Sequence, residues 1–434
     1  MNATTIPSWV MRQLSRYGRL TTAYSRNRFY PRQAASTELR PREFSATTSE
    51  PAPRPEWSTQ IFRSVSEVDQ ADWDSIVQSG NLLNTHAYLR AVEASGIDHV
   101  RYYFPVVVDR SGKHIAHACV YVIDTDLSQL LPARLSWVTK LIRKFWKRFL
   151  VFKITDCAAP LSTGNSISFD TRADASLLVC HLADAIETVA RRERSRVIVI
   201  RDFLDDELAK FNGLSAKGYN VVSNMPVARI HVRWNTYDEY LMSMRARYRT
   251  DVKRRIRRAH AAGQRVRKVE KFAENAELWA AQALTVQEKT KGFRREVLTP
   301  AYYASMDRFL GEKSLLVIAE RSGQPVAHGM LLQDNLTTTA TYFGRNPGPA
   351  QHEWFHLVNE VIRIGIENGS KYINLGLGSY DAKLNVGAQV EPLFVYSKSS
   401  IGIINWLMCR IPRTMNRSHP AGKQVFREDS TEPD

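Results

Sequence analysis

The chain has 434 residues, 44% of them hydrophobic and 10% aromatic, which is apolar material for two or three ordinary domain cores. Its 60 Lys and Arg against 44 Asp and Glu leave a net charge of +16, which implies an anionic partner: nucleic acid, acidic lipid, a phosphorylated cofactor or an acidic carrier protein. The cysteines Cys119, Cys157, Cys180 and Cys409 form no CxxC pair, which argues against structural zinc and for a reducing, cytoplasmic setting, and no apolar run approaches the roughly 20 residues of a spanning helix.

Residues 1–56 carry six arginines before the first acid, Glu38, then "EPAPRPEW", and read as a disordered basic tail with a Pro-rich linker. The same Arg-rich, acid-poor composition suits an organelle-targeting segment. From Trp57 the pattern turns globular: "IFRSVSEVDQADWDSIV" and "THAYLRAVEASG" read as helical or helix-capping segments. Next come the apolar run "YFPVVVD", the octet "RSGKHIAH" (Arg110 to His117) and a second apolar run, "ACVYVID". This is strand, tight turn, strand, because Ser-Gly supplies the left-handed backbone that a short hairpin needs.

"LSWVTKLIRKFWKRFLVFK", Leu135 to Lys153, alternates aromatics with Lys and Arg. Two readings stay open: a helix lying in an anionic membrane interface, or a core helix running into a buried strand. A second unit opens at "VARIHVRW", Val227 to Trp234, and passes into the most basic segment of the chain, Tyr240 to Gly263. There Leu241, Tyr248, Val252, Ile256 and Ala259 make one apolar stripe on a helix, while Arg245, Arg247, Arg249, Lys253, Arg254, Arg255, Arg257 and Arg258 face only Asp251. Cations so poorly compensated point to an anionic ligand.

The octet then returns as "RSGQPVAH", Arg321 to His328, between the apolar runs "LLVIAE" and "GMLLQDN". The repeat predicts the same hairpin in two halves. A third strand follows at Thr337 to Gly344, then the turn "RNPGPA", a helix ending at Gly369 and a strand "KYINLGLG", an α+β order. The glycine-rich strand end delivers Tyr380, Asp381 and Lys383 to a loop mouth, where a lysine can hold a phosphate or steady an oxyanion. The turn Arg345 to Ala350 enters a helix N-terminus and so offers an anion site, although Pro347 and Pro349 lack backbone donors. His352 and His356 stand at metal-ligand spacing without a third ligand, so no metal is predicted.

In this order of elements, and in "GQPVAHGMLLQDNLTTTATYFG" and "ENGSKYINLGLGSYDAKLNVGA" above all, the chain resembles the GNAT acyltransferases, and more narrowly their FemA/FemB-like, peptidoglycan biosynthesis/recognition-type branch. The resemblance covers most of Trp57 to Tyr396. It implies two tandem GNAT-like α+β units: residues 57–226, and residues 227–412 carrying the acyltransferase site, with a disordered tail over 413–434. It further implies an N-acyltransferase that takes acyl-CoA, or a group on an acyl carrier protein, as cosubstrate, with no permanently bound cofactor. Catalytic roles then fall to Lys383, Tyr380 and Glu353, and donor contacts to Tyr342, Gly344, Arg345, Gly348, Arg249 and Arg254. An aminoacyl-tRNA-dependent transferase and a non-catalytic binder of nucleic acid or of an anionic membrane surface are the alternatives.

Overall fold

The structure, a computed structural model, describes residues 57–97, 100–126, 128, 136–289, 296–349, 352–402, 405–406 and 422–427. The basic segment 1–56, Cys409 and Ala350 lie outside them. The chain enters the first sheet at β1 (Trp57–Phe62), laid antiparallel along β2 (Arg101–Asp109). Ile61 and Phe62 thus belong to a strand, not a helix, because Trp57 and Ile61 pack on the core of the first sheet; the helix expected there shrinks to Gln70–Asp74, capped by Asp69. β2 pairs with β3 (His114–Ala118) and, past Cys119, with β4 (Val120–Asp126). β5 (Val151–Cys157), β6 (Ile167–Phe169), β7 (Val197–Phe203) and β8 (Asn220–Ser223) complete this unit's own strands.

β9 (Val227–His231) and β10 (Gln264–Val269) open the second sheet, and the second octet joins β11 (Ser314–Arg321) to β12 (Gln324–Gln333). Arg321 pairs with Gln324, leaving Ser322 (φ 50°) and Gly323 (φ 74°) as a two-residue turn with both central residues left-handed. β13 (Thr337–Arg345), β14 (Tyr372–Asn374) and β15 (Gln389–Glu391) follow. The last strand, β16 (Phe394–Ser399), returns to the first sheet and lies between β7 and β8, while β9 lies between β14 and β15 in the second. The first sheet therefore holds one strand delivered from the far end of the chain, while the second is built from β9 to β15 alone. The residues 227–412 expected to form the second unit thus give one strand to the first sheet.

The two sheets correspond strand for strand: β1 with β10, β2 with β11, β3 and β4 with β12, β5 with β13, β7 with β14, and β16 with β9. The helices Ala175–Arg192 and Glu353–Glu367, each between its parallel strand pair, are counterparts too. Alternation along the strands sorts the cores. Tyr103 and Val107 of β2 face the helix-covered side of the first sheet, Val317 and Ala319 of β11 that of the second, and Phe104, Val106, Leu316 and Ile318 meet in one core shared by both units. The helices His86–Ala94 and Pro300–Leu310, capped by Thr85 and Thr299, pack across this shared core.

The stripe read as one helix from Leu241 to Ala259 falls on two, Tyr237–Ser243 and Ala246–Ala261. The break has a long-range cause. Met244 bridges Phe426, and the Arg245 N–H donates to the Val425 carbonyl at 2.9 Å. The expected disordered tail accordingly contains a docked segment, residues 422–427, in which Val425 is buried and Lys423 reaches Asn385 at 3.0 Å.

Candidate active site

β13 and β14 run parallel for three pairs, Thr337↔Tyr372 to Thr339↔Asn374, and then part. β14 turns to β9, where Leu375 and Gly376 exchange backbone hydrogen bonds with Ala228. β13 continues to Arg345 along β12, with a bulge that sets Thr341 and Tyr342 opposite Met330. Its other edge, from Ala340 on, has no strand beside it among the described residues. Gly376 (φ 73°) and Gly378 (φ 68°) form the opposite wall, and a Cβ on Gly376 would stand 3.8 Å from the Ala340 carbonyl oxygen.

The side chains expected in the site divide by what they touch. Lys383 is on the short helix Tyr380–Leu384, 6% exposed, its ammonium donating to the carbonyls of Gly376 (3.0 Å) and Leu377 (2.8 Å); burial lowers its pKa to about 8. It holds the glycine wall in shape. The Tyr380 hydroxyl donates to the Pro226 carbonyl at 2.7 Å, tying that wall to the crossover between the units, and Glu353 is buried in the first turn of its helix. Tyr342 packs towards the shared core, its ring edge-on to Tyr302 with centroids 5.8 Å apart.

Gly344 has no room for a side chain, because a Cβ would come within 2.3 Å of His328 Cε1 and 2.7 Å of the Ala283 nitrogen. Its glycine is a packing requirement beneath the helix Ala276–Lys289. Arg345 bends into its own loop, donating to Gly348 O at 3.0 Å. Arg249 caps the preceding helix through Met242 O (3.2 Å) and Met244 O (3.1 Å), and Arg254 pairs with Asp251. Arg247, Lys253, Arg257 and Arg258 remain on the exposed face.

Behind the loop runs a buried chain that the sequence did not disclose. Asn346 Oδ1 accepts from Gln282 Nε2 (2.7 Å), Gln282 Oε1 meets His328 Nδ1 (2.7 Å), and His328 Nε2 meets the Tyr303 hydroxyl (2.9 Å). Gln282 Oε1 can only accept, so Nδ1 carries the proton and Nε2 accepts from Tyr303. Burial keeps this imidazole neutral, its pKa lowered to about 3.

Across the interface, Tyr102, Tyr121 and Asp156 stand in one cross-strand row, the two rings 6.1 Å apart. Arg201 donates to Tyr121 Oη (2.6 Å), to both Asp156 oxygens (3.2 Å) and to Asp202 (2.5 Å). Register places Asp156 at the position of Thr339, and Arg201 and Asp202 at those of Gly376 and Leu377. The cleft that opens in the second unit is filled in the first by an ion network. Residues 158–166 also replace the Thr341–Tyr342 bulge there. Burial above all, then Cys119 for Tyr102 and Tyr302 for Tyr342, with Glu296 adding to both, pushes up the hydroxyl pKa values of Tyr102 and Tyr342, one from each unit. These groups had no local signal, since the row exists only once four strands are in register.

Comparison with known proteins gives this fold a family. Residues 64–379 match the family described as FemAB-like, peptidoglycan biosynthesis/recognition. The chain belongs to the FemAB-like family. The matched span takes in both hairpins and both sides of the cleft and ends just before Tyr380 and Lys383. Among solved structures, this FemAB-like chain is similar to the C-terminal domain of a lysylphosphatidylglycerol synthetase from Agrobacterium fabrum (12% identity, 80% of this chain and 96% of that one, TM-score 0.50). FemX aligns at 13% identity over 78% of this chain and 97% of its own, also with a TM-score of 0.50. These likenesses carry the fold alone. A Mycobacterium tuberculosis protein that bears the name 8-amino-7-oxononanoate synthase 2 is 24% identical over 245 residues, 55% of this chain and 31% of the relative's length. The FemAB-like chain thus spans under a third of that relative. Among the described residues no group of His, Cys, Asp and Glu could hold a metal ion, and no helix is long and apolar enough to cross a membrane.

Proposed function

We propose that this chain is an N-acyltransferase whose reaction takes place where β13 and β14 part. The observation that carries the reading is the free edge of β13 at the Thr341–Tyr342 bulge, kept open in the second unit while Asp156, Arg201 and Asp202 fill its counterpart. An acyl carbonyl laid along that edge meets backbone N–H groups, the donors that a tetrahedral oxyanion needs. The acceptor amine attacks the carbonyl carbon, the bond to the donor's sulfur or oxygen breaks, and the amine proton is taken up by a base. Glu296, whose charge adds to the raised hydroxyl pKa values of Tyr102 and Tyr342, is the carboxylate this reading assigns to that proton. Lys383 and Tyr380 act as positioning residues that fix the glycine wall.

A second reading, with an aminoacyl group on tRNA as donor, is favoured by the loop after β13. Pro347 and Pro349 present no N–H, and Arg345 is turned into the loop, so a diphosphate finds few donors there. The exposed arginines of Ala246–Ala261 suit a tRNA as well as a carrier protein.

The deciding experiment is a thermal-shift titration with acetyl-CoA, long-chain acyl-CoAs and aminoacyl-tRNA at two salt concentrations. A ligand at 100 times its dissociation constant adds about 2.7 kcal/mol of stability. Saturable stabilisation by one donor, followed by its amine-dependent turnover, supports acyl transfer and names the donor. Turnover that survives unchanged in both Lys383→Met and Glu296→Gln would place the reaction elsewhere.

A further inference from the structure

The hairpin β12–β13 is closed by the short turn after Gln333, with Asp334 N–H donating to Thr337 O at 3.1 Å. Its counterpart β4–β5 pairs through to Asp126↔Val151, yet the chain between those two residues makes an excursion containing the helix Ser136–Phe145. The fold does not require that helix, since the second unit closes the same hairpin without it.

The helix is also mounted the wrong way round for a core element. Its polar side is fastened to the protein: Arg143 makes a two-pronged contact with Asp126 (2.9 and 2.7 Å) and donates to the Phe149 carbonyl (3.1 and 2.8 Å), and Thr139 is buried. Most of its apolar side points outward, with Val138 and Ile142 half-buried. Trp137, Leu141 and Phe145, at steps of four on one face, are 64%, 48% and 90% exposed, and Trp146 beyond the helix end is 61% exposed. Lys140 and Lys144 flank this stripe on the same helix and Lys147 follows it; all are exposed, and none makes an ion pair among the described residues. Burying such a stripe in a folded core would require Arg143 and Asp126 to face solvent instead.

We propose that the helix Ser136–Phe145 is a docking surface for an anionic lipid bilayer. The chemistry fits at each level: an aromatic and aliphatic face for the acyl boundary, lysines beside it for the phosphates, and a helix anchored to the protein by Arg143. Neutral protein surfaces would not call for three unpaired lysines beside the apolar stripe, and nucleic acid would not call for the stripe. The chain docks from the first unit's hairpin tip, so its attachment is separate from the β13–β14 cleft.

The test uses the full-length chain with vesicles of phosphatidylcholine alone and of phosphatidylcholine mixed with phosphatidylglycerol. Wild type should co-sediment with the anionic vesicles, with a blue shift of tryptophan emission, and weakly or not at all with the neutral ones. Trp137→Ser with Phe145→Ser should weaken that binding at least about tenfold, and Lys140→Ser with Lys144→Ser should weaken it and reduce its salt dependence, all with unchanged circular dichroism. The assignment is overturned if wild type stays in the supernatant with both vesicles. Binding that ignores the aromatic pair and is lost instead on removing the arginines of Ala246–Ala261 overturns it too. So does a wild-type dimer that the Trp137 and Phe145 changes dissolve, because the face would then be covered by a second copy of the chain.

Discussion

His117 and His328 are counterparts: each is fully buried on the second strand of its hairpin, and each lies against the indole of a preceding helix. His117 stacks on Trp73 at 3.7 Å between centroids with 11° between planes, and His328 sits 5.3 Å from Trp279. Their hydrogen-bonding differs. His328 is satisfied at both nitrogens by Gln282 and Tyr303, whereas His117 has a single long contact, 3.5 Å from Asn84. One inherited position thus serves a complete polar chain in the second unit and a stacking role in the first.

Buried neutral imidazoles set the acid limb of stability. Burial lowers the pKa of His328 to about 3 and of His356 to about 4, and holds His117 well below its usual value. In each case the unfolded chain binds the proton more tightly than the folded one. Stability is therefore full above the unfolded value of about 6.5 and falls as the pH drops below it, by up to about 1.4 kcal/mol per pH unit for each such group. Urea midpoints measured from pH 7.5 to 4.5 should fall steeply below about pH 6.5. His328→Gln should start less stable at pH 7 and show a shallower fall; an unchanged slope would remove His328 from the account.

Gly344→Ala separates packing from ligand approach. A Cβ 2.3 Å from His328 Cε1 and 2.7 Å from the Ala283 backbone nitrogen has one neighbour that cannot swing away. The substitution should cost roughly 2–3 kcal/mol in equilibrium unfolding. A variant of wild-type stability that has lost donor binding would instead make Gly344 a ligand contact.

What was legible in the sequence was local. The octets gave both hairpins because a Ser-Gly turn needs no distant partner, and the helix after β13 ends where expected, with Gly369 at φ 66°. The FemAB-like order of elements was readable for the same reason. Long-range features escaped. Nothing near Met244 announces that Phe426 will break the helix there, and nothing in Phe394–Ser399 shows that the strand crosses to the other sheet. The glycines before Lys383 mark it for chemistry in the sequence, whereas its contacts are to the carbonyls of those same glycine-loop residues. Sequence spacing located the loop; only the fold reveals which way its lysine turns.

The network that fills the first unit's cleft should be essential to folding and dispensable in detail for chemistry. Arg201→Met leaves Asp156 and Asp202, 1% and 4% exposed, without their cation. Stranding buried carboxylates in this way should cost about 3–5 kcal/mol. Asp202→Asn is expected to be milder, since asparagine tolerates the left-handed backbone at φ 73°, leaves Asp156 its arginine, and can still accept from one of the two donors, Gly164 N or Asn224 Nδ2, though not from both. Urea unfolding of the two variants checks the order; an Arg201→Met protein as stable as wild type would mean the ion network is not needed.

The docked segment 422–427 can be tested through a pair of residues far apart in sequence. Phe426 packs on Trp234 (4.8 Å between centroids) and Tyr240 (6.0 Å), and lies where a side chain on Gly387 would be, 2.3 Å from its Cζ. Phe426→Ala should cost roughly 2–4 kcal/mol through lost burial. Gly387→Ala should cost a comparable amount from two sources, the collision with the ring and the left-handed backbone at φ 84°. Removing the ring abolishes the collision but not the backbone strain. The double variant should therefore be more stable than the sum of the single losses predicts, by at least about 1 kcal/mol. Strict additivity in that cycle would show that Phe426 does not occupy the space beside Gly387, and a segment not docked there could not be what breaks the helix at Met244.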